Sequence, residues 1–318
     1  MDDLLVKLRK LKLGCHVAGL WMGACAYCDD LTLLAPNRQV LQQMVTICEK
    51  YGIENNLVFS TDPNPNKSKT KCVLFCGPDN RTRLPDPVLL DGKELPWVEK
   101  CEHLGHVLHQ TLSMESDFSR TRGSFMARAS DLRDQLGFAD PWTKMQAINL
   151  NCCDAYGSML WDLQSDYCQR FFKAWNIQAR LSFDVPRATH TYLVEGALCE
   201  GLASLRRQIL SRYPNFTRNL RNSPSFEIRF LFRILENDPA STTYKNMLHL
   251  KTVCGEDVFA LSTCRVLELV PETPVPANEE WRRRLLAKFL QIKATRSYND
   301  FNLSYSHLCE MIDSLCIN

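Results

Sequence analysis

The sequence predicts an α+β protein, with short strands confined to its first 110 residues and helices after them. Three observations carry this. Between residues 18 and 109, brief apolar runs alternate with turn residues. From about residue 115 the apolar residues recur at spacings of three and four. Finally, Val185-Pro186 and the segment 271–278, with Pro271, Pro274 and Pro276, break the helical part. A chain of 318 residues, 45% hydrophobic and 23% charged, suits a globular protein of two or three domains. The breaks give regions 1–110, 111–185 and 186–318.

The totals exclude several classes. The formal net charge of +2 is too low for a uniformly basic nucleic-acid-binding domain, so such binding has to be sought in local patches. No apolar run approaches the roughly 20 residues of a membrane helix, so no membrane partner is expected. The start, Met-Asp-Asp-Leu-Leu, does not have the charged-then-apolar pattern of a leader, so secretion is not expected. An intracellular location is therefore expected, with the 15 cysteines reduced.

Residues 2–13 place Leu4, Leu5, Leu8 and Leu11 among basic residues, as in a short amphipathic helix. An apolar run over 18–27 stops at Cys28-Asp29-Asp30 and resumes over 31–35, which predicts two strands around an acidic turn. Asn37 caps a helix with Leu41, Met44, Val45 and Cys48 on one face and Gly52 just past its end. A polar loop with a lysine cluster leads to a strand-like Lys71–Phe75, and further strands are expected up to His109, with a turn at Asp91-Gly92. Helices follow, from about 115 to 136 and, with Pro141 in the first turn, from 141 to 163. Residues 166–180 and Trp281–Lys293 are also helical in pattern.

Asp29-Asp30 is the most informative dipeptide. Adjacent carboxylates repel, and a bare Asp-Asp is ordinarily just a turn. Here an aromatic residue, a small residue and two aspartates stand between two apolar strands. Phosphoryl-transfer sites use two divalent ions roughly 3.5–4 Å apart. Hard Mg²⁺ takes carboxylate oxygens, and a hairpin tip fixes where they point.

Ala26-Tyr27-Cys28-Asp29-Asp30-Leu31 resembles motif C of right-hand polymerases, with Cys28 where reverse transcriptases usually carry Ala. Downstream, Lys67–Phe75 resembles the lysine-bearing motif D. Cys101–Leu108, centred on Leu104-Gly105, resembles the motif E primer grip. Tyr156–Leu163 and Pro186–His190 resemble parts of the helical region beyond the palm. Taken in order over roughly residues 1–200, these segments resemble the reverse transcriptase of non-LTR (LINE-type) retrotransposons. The resemblance implies a partial polymerase palm over 1–110, a thumb-like region over 111–185 and a mainly helical C-terminal region. It implies RNA-directed DNA polymerisation with Mg²⁺ on Asp29 and Asp30, Tyr27 shaping the turn and Lys69 as a candidate acid. The implied partners are an RNA template, a DNA primer and dNTPs. Arg120, Arg122 and Arg128 would touch the nucleic-acid backbone.

The family takes a third carboxylate from motif A, well upstream of motif C, whereas 28 residues precede Asp29 here. Asp2 and Asp3 suit a first helical turn better than a metal site. The expectation is a chain without polymerase activity of its own, and the competing reading is a non-catalytic nucleic-acid- or protein-binding remnant or a pseudogene product. Other constellations point more weakly to chemistry. Cys25-x-x-Cys28 lies on a strand without a second pair, so a zinc or redox role is not expected. Zinc at Cys101, His103, His106 and His109 would need an irregular knuckle. His307, Cys309 and Cys316 lack a fourth ligand. Arg282, Arg283 and Arg284 read as an exposed face.

Overall fold

The structure is a computed structural model, described over residues 2–62, 64, 67–75, 84–153, 155–198, 202–271 and 274–293. The cluster at His307, Cys309 and Cys316 lies outside these residues. The protein is mixed α+β, with eleven α-helices and eight short strands among the described residues. It forms two compact units, residues 1–116 and 117–318. No described helix is long and apolar enough to cross a membrane.

The first unit opens with α1 (Asp2–Lys10). Asp2 and Asp3 lie in its first turn and Lys7, Arg9 and Lys10 in its last, as the helix dipole favours. Leu4 and Leu8, one helical turn apart, are both fully buried. The apolar run that follows is not one strand. It folds first into a hairpin, β1 (His16–Val17) and β2 (Leu20–Trp21), whose turn residues Ala18 and Gly19 have φ of 47° and 82°. The second hairpin is β3 (Ala24–Tyr27) with β4 (Asp30–Leu33). Backbone bonds stitch the two together: Leu34 N to Gly23 O at 2.7 Å and Cys15 N to Leu34 O at 2.8 Å. A Cβ on Gly14 would lie 2.4 Å from Gly23 Cα, so this crossing needs glycine.

Helix α2 (Arg38–Glu54) starts as expected, Asn37 Oδ1 accepting from Val40 N at 2.9 Å. Its end differs. Gly52 is inside the helix, where a Cβ would meet Leu57 O at 2.9 Å, so close approach of the returning chain explains the glycine. Two more hairpins follow, β5 (Val88–Leu90) with β6 (Lys93–Leu95), and β7 (Lys100–His103) with β8 (His106–His109). The expected strand at Lys71–Phe75 is reduced to one parallel bridge between Cys72 and Trp97. The four hairpins are separate two-stranded antiparallel sheets. Two apolar clusters hold the unit. Leu4, Leu8, Met44 and Cys48 form one, and Val45, Cys72, Val88, Leu90 and Leu95 the other.

The second unit is helical: α3 (Glu115–Gln135), α4 (Pro141–Cys152), α5 (Asp166–Phe183), α6 (Thr191–Leu198), α7 (Leu205–Arg221), α8 (Phe226–Asn237), α9 (Thr242–Cys254), α10 (Thr263–Leu269) and α11 (Glu280–Lys293). Ser165, Ser204, Ser225, Ser241 and Ser262 cap α5, α7, α8, α9 and α10, each side chain accepting an N–H of the first turn. The helix expected to run from Pro141 to Leu163 stops at Cys152. Ala155 and Gly157 take left-handed φ of 43° and 75°, and the chain turns Trp161 into the core. Trp161 packs 4.4 Å from Phe118 and 5.4 Å from Phe171, ring centroid to centroid. The helical pattern of 166–180 continues to Phe183, where Asp184 takes φ of 54° before Val185-Pro186.

Candidate functional site: the acidic hairpin

The β3–β4 register pairs Ala24 with Leu33, Cys25 with Thr32, Ala26 with Leu31 and Tyr27 with Asp30. Alternation then sorts the side chains by face. Ala24, Leu31 and Leu33 pack on the Leu4–Leu8–Met44–Cys48 cluster. Cys25, Tyr27, Asp30 and Thr32 take the opposite face. Tyr27 and Asp30 close the hairpin, leaving Cys28 and Asp29 as a two-residue turn. Cys28 has φ of 53°, while Asp29 is not in the positive-φ region. One positive φ at the first turn residue is the type II′ pattern, in which glycine normally stands.

Asp29 and Asp30 are both exposed, and Tyr27 is 64% exposed. The tip thus offers two hydrated carboxylates from a turn fixed by the pairing beneath it. Such oxygens suit a hard divalent ion. Two exposed carboxylates make an incomplete ligand set, and no group of three or more His, Cys, Asp or Glu side chains that could hold a metal occurs among the described residues.

Thr32 Oγ1 lies 3.2 Å from His103 Nε2, so the Asp30 face is tied to the β7–β8 hairpin. His103 pairs with His106 across the turn Leu104-Gly105, whose φ values of 45° and 78° follow the type I′ pattern. The sequence places Leu104 and Gly105 at this turn and offers His103 only as a zinc candidate, while Thr32 is not singled out by it. Period-two alternation from Tyr27 and Asp30 points to Thr32, although no sequence signal names its partner.

Lys69 is exposed in a loop pinned by Ser68, whose Oγ donates to Thr70 O at 2.6 Å. The lysine with an electrostatic effect on the β7–β8 hairpin is Lys71. Burial raises the Cys101 thiol pKa, and the Lys71 charge partly offsets this. The β7–β8 register puts Cys101, His103 and His106 on one face and His109 on the other, which divides the suggested zinc set. Cys25 and Cys28 are exposed free thiols, one on the strand and one in the turn.

In the second unit, Arg120 pairs with buried Asp117 at 3.0 Å, and Asp117 also accepts from Trp161 Nε1 at 3.2 Å. Arg120 therefore serves packing, while Arg122 and Arg128 are exposed on α3. Arg128 is near Cys153, where burial outweighs its charge and pushes the thiol up to about 12. The predicted exposed face at Arg282–Arg284 is offset by acid. Arg283 and Arg284 lie 2.7 and 3.5 Å from Glu280, and Arg282 lies 3.9 Å from Glu279.

The two other family-like segments are structural anchors. Asn246, fully buried on α9, donates to Trp161 O at 2.7 Å and accepts from Leu163 N at 3.0 Å. Arg180 donates through Nε to Thr189 O at 3.0 Å. Comparison with protein-family models, curated proteins and solved structures finds no match for this chain.

Proposed function

We propose that the chain is part of an RNA-directed DNA polymerase of the non-LTR retrotransposon kind, carrying its motif C, D and E segments. Asp29 and Asp30 are the residues that would hold Mg²⁺, which supplies charge stabilisation for phosphoryl transfer when bound. Tyr27 closes the turn beneath them. Leu104 and Gly105 are the tip of the primer-contacting hairpin. Lys69, with Lys71 beside it in the same segment, is the candidate acid. RNA template, DNA primer and dNTPs are the partners in this reading.

The supporting observation is the tip of β3–β4. Tyr27 pairs with Asp30, so both aspartates stand at the end of a hairpin whose other face is half-buried against the Leu4–Leu8–Met44–Cys48 cluster. The ligand set is incomplete, so these 318 residues are proposed not to extend a primer unaided. A second reading, a non-catalytic binder of nucleic acid, draws on exposed Arg122 and Arg128 of α3.

The test is primer extension on an RNA template with a DNA primer, Mg²⁺ and dNTPs, comparing wild type with the Asp29→Ala/Asp30→Ala variant. Binding to the same primer–template is measured in parallel over a salt series. The expected result is no extension by either protein and binding that weakens linearly in log salt. Extension by wild type alone would refute the inactivity. Absence of both extension and salt-dependent binding would remove support from the polymerase reading.

A further inference from the structure

The β3–β4 and β7–β8 hairpins are separate sheets, and no backbone ladder joins them among the described strands. A side-chain bond does: Thr32 Oγ1 lies 3.2 Å from His103 Nε2, with both residues half-buried. Each end of this bond sits beside a hairpin tip. Thr32 follows Asp30 on the same face of β4, about 7 Å along the strand. His103 is the last residue of β7 and immediately precedes the Leu104-Gly105 turn.

The residue types suit a fixed link. Threonine is β-branched, so its χ1 is stiff and its hydroxyl direction follows that of the strand. The hydroxyl can donate to an imidazole nitrogen or accept from an imidazole N–H, so the bond is available to either tautomer. The left-handed φ of 45° and 78° at Leu104 and Gly105 reverse the chain directly after His103. The ring is therefore carried on paired backbone opposite His106, not on a loop.

Two hairpins without a shared ladder can rock against each other, and a displacement beyond about 0.5 Å is enough to spoil a reacting constellation. A bond seated next to both tips restrains that motion where it matters. Phenylalanine at position 103 keeps a ring of similar breadth and removes the bond. Glutamine there keeps both a donor and an acceptor.

We propose that His103 is a positioning residue. Through Thr32 it holds the Leu104-Gly105 tip beside the Asp29-Asp30 tip, so that a primer 3′ end resting on the one meets the carboxylates of the other. The inference rests on the polymerase reading of the two hairpins. The probe is a DNA primer ending in 4-thiothymidine, annealed to an RNA template, photocrosslinked to the full chain and mapped by mass spectrometry of the peptides. Wild type should crosslink at both tips. His103→Phe and Thr32→Val should each lower the crosslink yield at the acidic tip about fivefold, the factor that one neutral hydrogen bond supplies, and leave the yield at Leu104-Gly105 unchanged. His103→Gln should keep the wild-type yield at both tips. Unchanged yields in His103→Phe and Thr32→Val, or equal loss at both tips, would overturn the positioning role while the wild-type crosslinks keep the polymerase reading. Crosslinks at neither tip of wild type would remove both.

Discussion

Replacing Asn246 with alanine tests whether the Tyr156–Leu163 segment is held in place by buried hydrogen bonds to α9. Asn246 is fully buried and serves two backbone groups at once, accepting Leu163 N–H at 3.0 Å and donating to Trp161 C=O at 2.7 Å. It also shares a hydrogen bond with the Tyr213 hydroxyl. Alanine leaves a buried donor and a buried acceptor unpaired, at about 1–3 kcal/mol each, so a loss of about 2–6 kcal/mol is expected. In a unit of roughly 200 residues, each kilocalorie lowers the melting temperature by about 2–4 °C, giving a drop of roughly 10 °C. Calorimetry of the second unit's transition reads the stability, and amide exchange at Leu163 reads the local bond. A shift under about 2 °C with unchanged exchange at Leu163 would refute the anchoring role.

Cys28→Gly should stabilise the first unit by up to about 1 kcal/mol, because φ of 53° strains an L-residue by about 1–2 kcal/mol and glycine returns part of that as chain entropy. Denaturant unfolding of the two proteins measures it, and a clear destabilisation would show that the Cys28 side chain makes a contact that outweighs the strain. His249 supplies a pH test. Burial, with Arg206 adding to it, lowers its pKa below the ordinary value, so it stays neutral in the fold while the unfolded chain takes up a proton. Its contribution is present above the unfolded value near 6.5 and is lost as pH falls through the depressed folded value. Melting temperatures at pH 7 and pH 5 should therefore differ less in His249→Gln than in wild type, and an equal difference would rule the imidazole out as a source of acid lability.

The acidic turn was legible in the sequence because its signals are local. The Asn37 cap, the Asp91-Gly92 turn and the Asp29-Asp30 tip all follow from residues within four positions of one another. Helices α8 to α10 were equally legible in principle, since Ser225, Ser241 and Ser262 each precede a helical run. What sequence periodicity could not supply was tertiary. Gly52 resembles a helix stop until Leu57 O and Phe59 are seen against it. The run from Pro141 to Leu163 keeps helical spacing through a turn that exists because Trp161 must reach Asp117 and Phe171. Thr32 and His103 are 71 residues apart, and only the fold joins them.

The distribution of arginine bears directly on the nucleic-acid reading. Many guanidinium groups in the second unit are committed to backbone carbonyls at loop ends. Arg206 donates to Pro271 O at 2.8 Å, Arg207 to Leu267 O at 2.6 Å, Arg218 to Phe259 O at 3.2 Å and Arg283 to Gly196 O at 3.3 Å. Each satisfies a carbonyl that water would otherwise have to reach. Their planar fork suits such bonding, and their charge is desolvated less expensively than that of lysine. These arginines consequently add to the basic count without forming a phosphate-binding stripe. Among the arginines considered for backbone contact, Arg122 and Arg128 retain exposed side chains on α3 without the Asp117 pairing that takes up Arg120. Backbone contact through the three α3 arginines should therefore rest on Arg122 and Arg128, and the salt slope of primer–template binding is the quantity in which their loss would appear.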